Sequence, residues 1–212
     1  MFANYDEANL MNTRILIICG SDRPASASLK ISNYINNLCA ENPAVESVQL
    51  IDLNQEKIPL WDEGFWVRTP RWESIWHPIS CLLKDSDGFI IVTPEWGGMV
   101  PPTLKNFLLL CEPSEVGHKP NLIVSCSSSR GGAQPIVELR TSGYKNNKLC
   151  HIPDHIHIQK VDEVIKEITS GRNCYFAKRI DWSVKVLLSY AQALKPMRQA
   201  SFLFDSAYEH GM

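Results

Sequence analysis

Arg14-Ile15-Leu16-Ile17-Ile18-Cys19-Gly20 runs directly into Ser21-Asp22-Arg23-Pro24-Ala25-Ser26-Ala27-Ser28, and this passage from an apolar run to a short polar loop decides the fold. A continuous apolar run rich in β-branched residues suits a strand covered on both faces, and such strands belong to parallel sheets. Beyond the loop, Ile31, Tyr34, Ile35, Leu38 and Cys39 stand at i, i+3, i+4, i+7 and i+8, which is one stripe of an amphipathic helix. Strand, turn and helix together make half of a βαβ unit.

The same alternation continues along the chain. Further strands are predicted over Ser47–Leu53, Gly88–Glu95 and Asn121–Ser127, with a weaker one over His155–Lys160. Helical stripes follow at Ile75, Ile79, Leu82 and Leu83, at Leu104, Phe107, Leu108 and Cys111, and at Val184, Leu187, Leu188, Ala191 and Leu194. Alternation calls for right-handed crossovers, hence a three-layer α/β sandwich of the flavodoxin-like class: a five-stranded parallel sheet, order 2-1-3-4-5, with helices on both faces. One domain over 14–195 is expected, with an N-terminal extension (1–13) and, after Lys195-Pro196, a docked or frayed tail (196–212). The connection 54–73 carries Trp61, Trp66 and Trp72, as a cover for a sheet edge or as a dimer or substrate surface.

Composition excludes several classes of function. The 212 residues are 44% hydrophobic and 21% charged, ordinary globular usage. Lys and Arg number 21 against 23 Asp and Glu, a net charge of -2, so no general field attracts nucleic acid or an anionic membrane. No apolar run approaches the roughly 20 residues that span a bilayer. The first residues carry Asp6 and Glu7 and lack the basic start of a signal peptide, so a cytosolic protein is expected. Seven cysteines form no C-x-x-C pair and are odd in number, which predicts reduced, mostly buried thiols.

Three strand-end loops carry the chemistry. The first combines a helix N-terminus, the hydroxyls of Ser21, Ser26 and Ser28, and the charge of Arg23, which together can hold a monophosphate. It lacks the lysine of a Walker loop and the glycines of a dinucleotide fingerprint, and an ordinary N-cap at Ser26 or Ser28 is the competing explanation. The second runs Pro94-Glu95-Trp96-Gly97-Gly98 and on to Pro101-Pro102-Thr103-Leu104-Lys105-Asn106, where paired glycines beside an indole admit a flat ligand. The third, Ser127-Ser128-Ser129-Arg130-Gly131-Gly132, adds small residues and amides. In the order 2-1-3-4-5 the carboxyl ends of strands one, three and four are neighbours, so the loops should share a pocket.

Other constellations compete. Cys150, His151, Asp154, His155 and His157 crowd together, and His155 and His157 share a strand face as paired metal ligands can, but no fourth ligand is specified. Ser127–Ser129 lacks a G-x-S-x-G elbow. Arg68 and Arg71 between Trp66 and Trp72 form a faint stacking pattern for nucleic acid, against which the neutral charge argues.

These loops resemble the NAD(P)H-dependent FMN reductase family of flavodoxin-like proteins, which includes quinone, chromate and azo-dye reductases. Its G-S-x-R-x-x-S is met by Gly20, Ser21, Arg23 and Ser26, and its serine-rich turn ending in G-G by Ser127 through Gly132, continued by Ala133, Gln134, Leu139 and Arg140. Its P-E-Y-N, proline, L-K-N pattern appears as Pro94, Glu95, Trp96, Gly97, Pro101 or Pro102, and Leu104-Lys105-Asn106, with tryptophan in place of tyrosine and glycine in place of asparagine. The resemblance implies that loop one, with Ser28, holds the FMN phosphate. It also implies that Pro94, Glu95, Trp96, Gly97 and Gly98 face the ring, and that Ser127, Arg130, Gly131 and Gly132 complete the site. The amides of Gly131 and Gly132 would stabilise charge on the reduced ring. It implies, further, NADPH or NADH as co-substrate, a small acceptor, a homodimer and no side-chain catalyst. The runner-up is a flavodoxin-like electron carrier or a flavin-free binding module, which the Trp96-Gly97 departure keeps open.

Overall fold

The computed structural model describes residues 12–171 and 173–208. In chain order the elements are Thr13–Cys19 (β1), Ala27–Ala40 (α1), Val45–Asp52 (β2), Leu53–Glu56 (α2), Glu63–Trp66 (α3), Pro70–Asp85 (α4), Gly88–Pro94 (β3), Pro102–Leu110 (α5), Pro113–Val116 (α6), Pro120–Cys126 (β4), Ala133–Thr141 (α7), Cys150–Ile158 (β5), Val161–Ser170 (α8) and Tyr175–Leu194 (α9). All strand pairs are parallel, in the order β2-β1-β3-β4-β5, as the alternation predicts.

Successive side chains of a strand point to opposite faces, so each central strand feeds two cores. Ile15, Ile17, Ile90, Val92, Leu122 and Val124 face Ile31 and Ile35 of α1 and Ile180, Val184 and Leu187 of α9. Leu16, Ile18, Phe89, Ile91 and Ile123 face Ile79 and Leu83 of α4 and Leu104 and Phe107 of α5. Burial on both faces explains why β1, β3 and β4 read as continuous apolar runs, whereas the edge strand β2 is mostly half-exposed.

Several expectations change. Strand β5 starts at Cys150 rather than His155 and contains Pro153. It is an edge strand, where a missing N–H costs no ladder bond, and the proline masked its beginning. The connection 54–73 is largely helical, and Trp72 lies in the first turn of α4. Trp72 and Trp76 are core residues whose Nε1 groups donate to Asp62 Oδ1 at 2.7 Å and Glu115 Oε1 at 2.9 Å. Trp66, by contrast, is 71% exposed and meets Trp61 edge-on at 4.6 Å. Helix α8 was not anticipated. The expected extension, residues 1–13, lies outside the described residues except for Asn12 and Thr13, as does the end of the expected tail, residues 209–212.

After α9 the chain turns under the N-terminal edge of the sheet. There the buried Asp87 carboxylate accepts from the Arg14 amide at 3.1 Å, Lys195 Nζ at 3.1 Å and Arg198 Nη2 at 3.0 Å. The Arg198 side chain is only 12% exposed and that of Lys195 49%. Removing one member of a buried pair strands the other, at about 3 to 5 kcal/mol, while an exposed pair contributes at most about 1 kcal/mol. Asp87→Ala should therefore destabilise by about 3 kcal/mol or more, and Lys195→Ala by less than about 1 kcal/mol. Urea unfolding measures both, and equal losses would contradict the role given to Arg198.

Candidate active site

Loop one leaves β1 at Gly20, whose amide donates to the Val92 carbonyl of β3 at 2.8 Å. A Cβ there would meet Leu104 Cδ2 at 2.7 Å and the Val92 carbonyl at 3.2 Å, so a larger residue would have to displace Leu104 of α5. Ser21 is buried and its Oγ accepts from the Arg23 amide at 3.3 Å. Asp22 to Ala25 are exposed, and Ala25 adopts a left-handed φ of 50°. Ser26 is the N-cap of α1, its hydroxyl accepting from Leu29 N at 3.1 Å. The first turn of this 14-residue helix carries no acidic side chain, so the positive end of its dipole is uncompensated. The Arg23 guanidinium pairs with no carboxylate among the described residues. Ser28 is placed deeper, with Oγ 3.3 Å from Cys126 Sγ at the end of β4. Burial pushes the Cys126 thiol up to about 11 and raises that of Cys19 as well, so both thiols under the loop are neutral packing groups.

Loop two is a tight hairpin. Trp96 and Met99 exchange two backbone hydrogen bonds of 3.0 Å around Gly97 and Gly98, whose φ values are 57° and 78°. A two-residue turn of this kind needs positive φ at both central positions, which explains the glycine pair. A Cβ on Gly98 would meet nothing within 4 Å, so the turn stands beside open space. Helix α7 braces its far side, because Glu138 accepts from the Val100 amide at 2.8 Å and pairs with Lys105 Nζ at 3.2 Å. Asn106 is likewise structural: Oδ1 accepts from the Trp61 amide and Nδ2 donates to the Pro59 carbonyl, both at 2.8 Å. The tryptophan connection is thereby fastened to α5.

Loop three is held by the start of α8 and the end of β5. Ser127 N donates to Ile158 O at 2.9 Å, Val161 N to Ser127 O at 2.9 Å and Lys160 N to Ser129 O at 2.8 Å, leaving Ser128, Ser129 and Arg130 exposed. His157 Nε2 lies 2.8 Å from the Gly131 carbonyl, and the Gly132 amide donates to Glu95 Oε2. One reading of the sequence changes here. The Gly132 amide is engaged by a carboxylate of loop two rather than turned toward a ligand. Gly132 itself has a φ of 106°, and a Cβ would stand 2.9 Å from the His157 ring.

The three loops are in physical contact. Gly20 joins β1 to β3, Ser28 reaches Cys126, the Glu95 amide donates to the Cys126 carbonyl at 3.2 Å, and the Glu95 carboxylate reaches Gly132. The competing constellations are dispersed. His151 binds Asn121 at 2.8 Å, with burial pulling its pKa down to about 4, and Asp154 pairs with Arg179. His155 and His157 do share a strand face, but among the described residues no three His, Cys, Asp or Glu side chains converge on a metal position. Arg68 pairs with Glu112 and Arg71 with Asp62, so the cations between the tryptophans are already compensated. Glu95 and His157 acting on one loop is a feature no spacing announced, because they lie 37 and 26 residues from their partners.

Comparison with known proteins follows the same outline. A quinone reductase of Pseudomonas putida is 27% identical over 106 residues, and the match spans half of that protein's length and half of this chain. FerB of Paracoccus denitrificans, a flavoenzyme NAD(P)H:(acceptor) oxidoreductase, superposes with a TM-score of 0.66 at 17% identity, over 86% of this chain and 98% of its own. An FMN-dependent NADH-azoreductase from Bacillus anthracis, solved in complex with FMN, gives a TM-score of 0.57 at 15% identity, over 84% and 100%. At these identities the structures share the fold. Residues 13–163 match the model of the NADPH-dependent FMN reductases, and the chain belongs to that family.

Proposed function

We propose that the protein binds FMN across the three loops and acts as an NAD(P)H-dependent oxidoreductase that reduces a small acceptor such as a quinone, a flavin, an azo compound or a metal oxyanion. The observation that carries this reading is the joining of all three loops at one rim of the sheet, with an open hairpin on one side and an uncompensated helix N-terminus on the other. The residues present fit the cofactor. Ser21, Arg23 and the cap Ser26 lead into the α1 terminus, with the Arg23 guanidinium unpaired among the described residues, which suits a phosphate, and the space beside Gly98 suits a flat ring. Ser28 supports this cup from beneath through Cys126. Bound FMN would supply the chemistry, accepting hydride from nicotinamide and delivering two electrons to the acceptor.

The chain's own residues position and shield. Pro94 to Gly98 with Met99 form one wall, and Ser127 with Arg130 to Gly132 form another. Trp96 would cover part of the ring and leave one face open, which donor and acceptor would use in turn. The exposed Leu60, Trp66 and Val67 form an apolar surface that we assign to a homodimer interface, in keeping with the enrichment of aromatics there. No helix among the described residues is long and apolar enough to cross a membrane, and a cytoplasmic location is part of the same proposal.

Two measurements test this. Arg23→Ala should weaken FMN by about 1.5 to 3 kcal/mol while riboflavin, which lacks the phosphate, changes little. Equal losses for the two ligands in fluorescence titrations would take the phosphate away from Arg23. Reciprocal plots against NADPH at several quinone concentrations should be parallel, as alternate occupancy of one pocket requires. Intersecting lines would mean that both substrates bind together.

A further inference from the structure

We propose that Glu95 sets the electron affinity of the bound flavin, through a clamp that it forms with His157 on the peptide joining Gly131 to Gly132. The inference rests on the assignment of loops two and three to the flavin site.

The carbonyl of Gly131 and the amide of Gly132 are two ends of one planar peptide group. His157 Nε2 holds the first at 2.8 Å and the Glu95 carboxylate holds the second. Because a carbonyl can only accept, Nε2 carries the imidazole proton. A plane pinned at both ends cannot turn without losing both bonds. The glycines themselves follow from this clamp. A Cβ on Gly131 would run into the Glu95 carboxylate and stand 3.3 Å from Ser127 Oγ, and one on Gly132 would meet the His157 ring at 2.9 Å.

The consequence is electrostatic. Glu95 is half-buried and forms no ion pair among the described residues, and its carboxylate accepts from the Gly132 amide. An oxyanion hole would offer that amide to the ligand; here a carboxylate has taken it, and the rim between loops two and three presents fixed negative charge. Negative charge at this place disfavours the electron-rich reduced ring relative to the oxidised one. The protein thereby keeps its reduced cofactor a strong donor to the acceptor. Glu95 is in this sense a positioning and tuning residue, with no bond made or broken at its own atoms.

Glu95→Gln tests the idea cleanly, because the amide oxygen can still accept from Gly132 while the charge is gone. The measurements are FMN titration by fluorescence and the midpoint potential of the FMN-loaded protein by dye equilibration. In Glu95→Gln the affinity for reduced FMN relative to oxidised FMN should rise about tenfold, equivalent for a two-electron couple to about 30 mV upward. Glu95→Ala, which repacks the site differently, should shift the ratio in the same direction. His157→Gln keeps a donor to the Gly131 carbonyl and leaves the Glu95 carboxylate in place, and should leave the ratio within about twofold, well below the tenfold step expected of the Glu95 variants. An unchanged ratio in both Glu95 variants, or an equal shift in His157→Gln, would overturn the proposal while FMN binding by the wild type keeps the site assignment intact. A wild-type protein that binds no FMN would overturn both.

Discussion

An all-parallel sheet cannot close on itself through hairpins, and the rest of this structure depends on that constraint. Each strand must be followed by a crossover, so the carboxyl ends of β1, β3 and β4 meet on one rim, where α1, α5 and α7 begin. Helix N-termini bring unpaired amides to that rim and the loops between bring small residues. The opposite rim carries Asp87, Lys195 and Arg198, a charged anchor that fixes the end of α9. The charged anchor and the candidate site thus lie at opposite ends of the strands. A substitution that loosens the anchor need not touch the candidate site.

Within the candidate site, the loops are tied to one another. Glu95 leaves loop two and ends on loop three, Glu138 leaves α7 and ends on loop two, and Asn106 leaves α5 and ends on the tryptophan connection. Each contact satisfies a backbone amide that would otherwise be left unpaired. Gly97 and Gly98 stand apart from this network, because their φ values serve the turn and a side chain on Gly98 would meet free space.

The layers and strand order were legible because burial on both faces leaves a continuous apolar signature, and the stripes through Ile31 and Ile35 and through Val184 and Leu187 mark the helices that cover one face. The loops were legible as loops because glycine, serine and proline gather where strands end. Strand β5 is half hidden by Pro153, and Trp72, assigned from sequence to the connection 54–73, lies in the first turn of α4, which Pro70 opens. Helix α8 did carry a signal, with Val161, Val164 and Ile168 on one buried face. What local sequence could not carry are the long-range polar contacts. Glu95 reads as a motif residue facing the ligand, yet its carboxylate ends on Gly132, and His157 reads as a candidate metal ligand, yet its ring supports the Gly131 carbonyl. Side chains that reach across loops are set by the fold as a whole, not by spacing.

The central claim is that three tied loops at the carboxyl rim of this sheet form a flavin site. The most direct test is the visible absorption spectrum of the purified protein after incubation with FMN and gel filtration, followed by anaerobic addition of NADPH. The account predicts one FMN retained per chain and bleaching of its visible band by NADPH. A colourless protein that retains no FMN after the same treatment would contradict it.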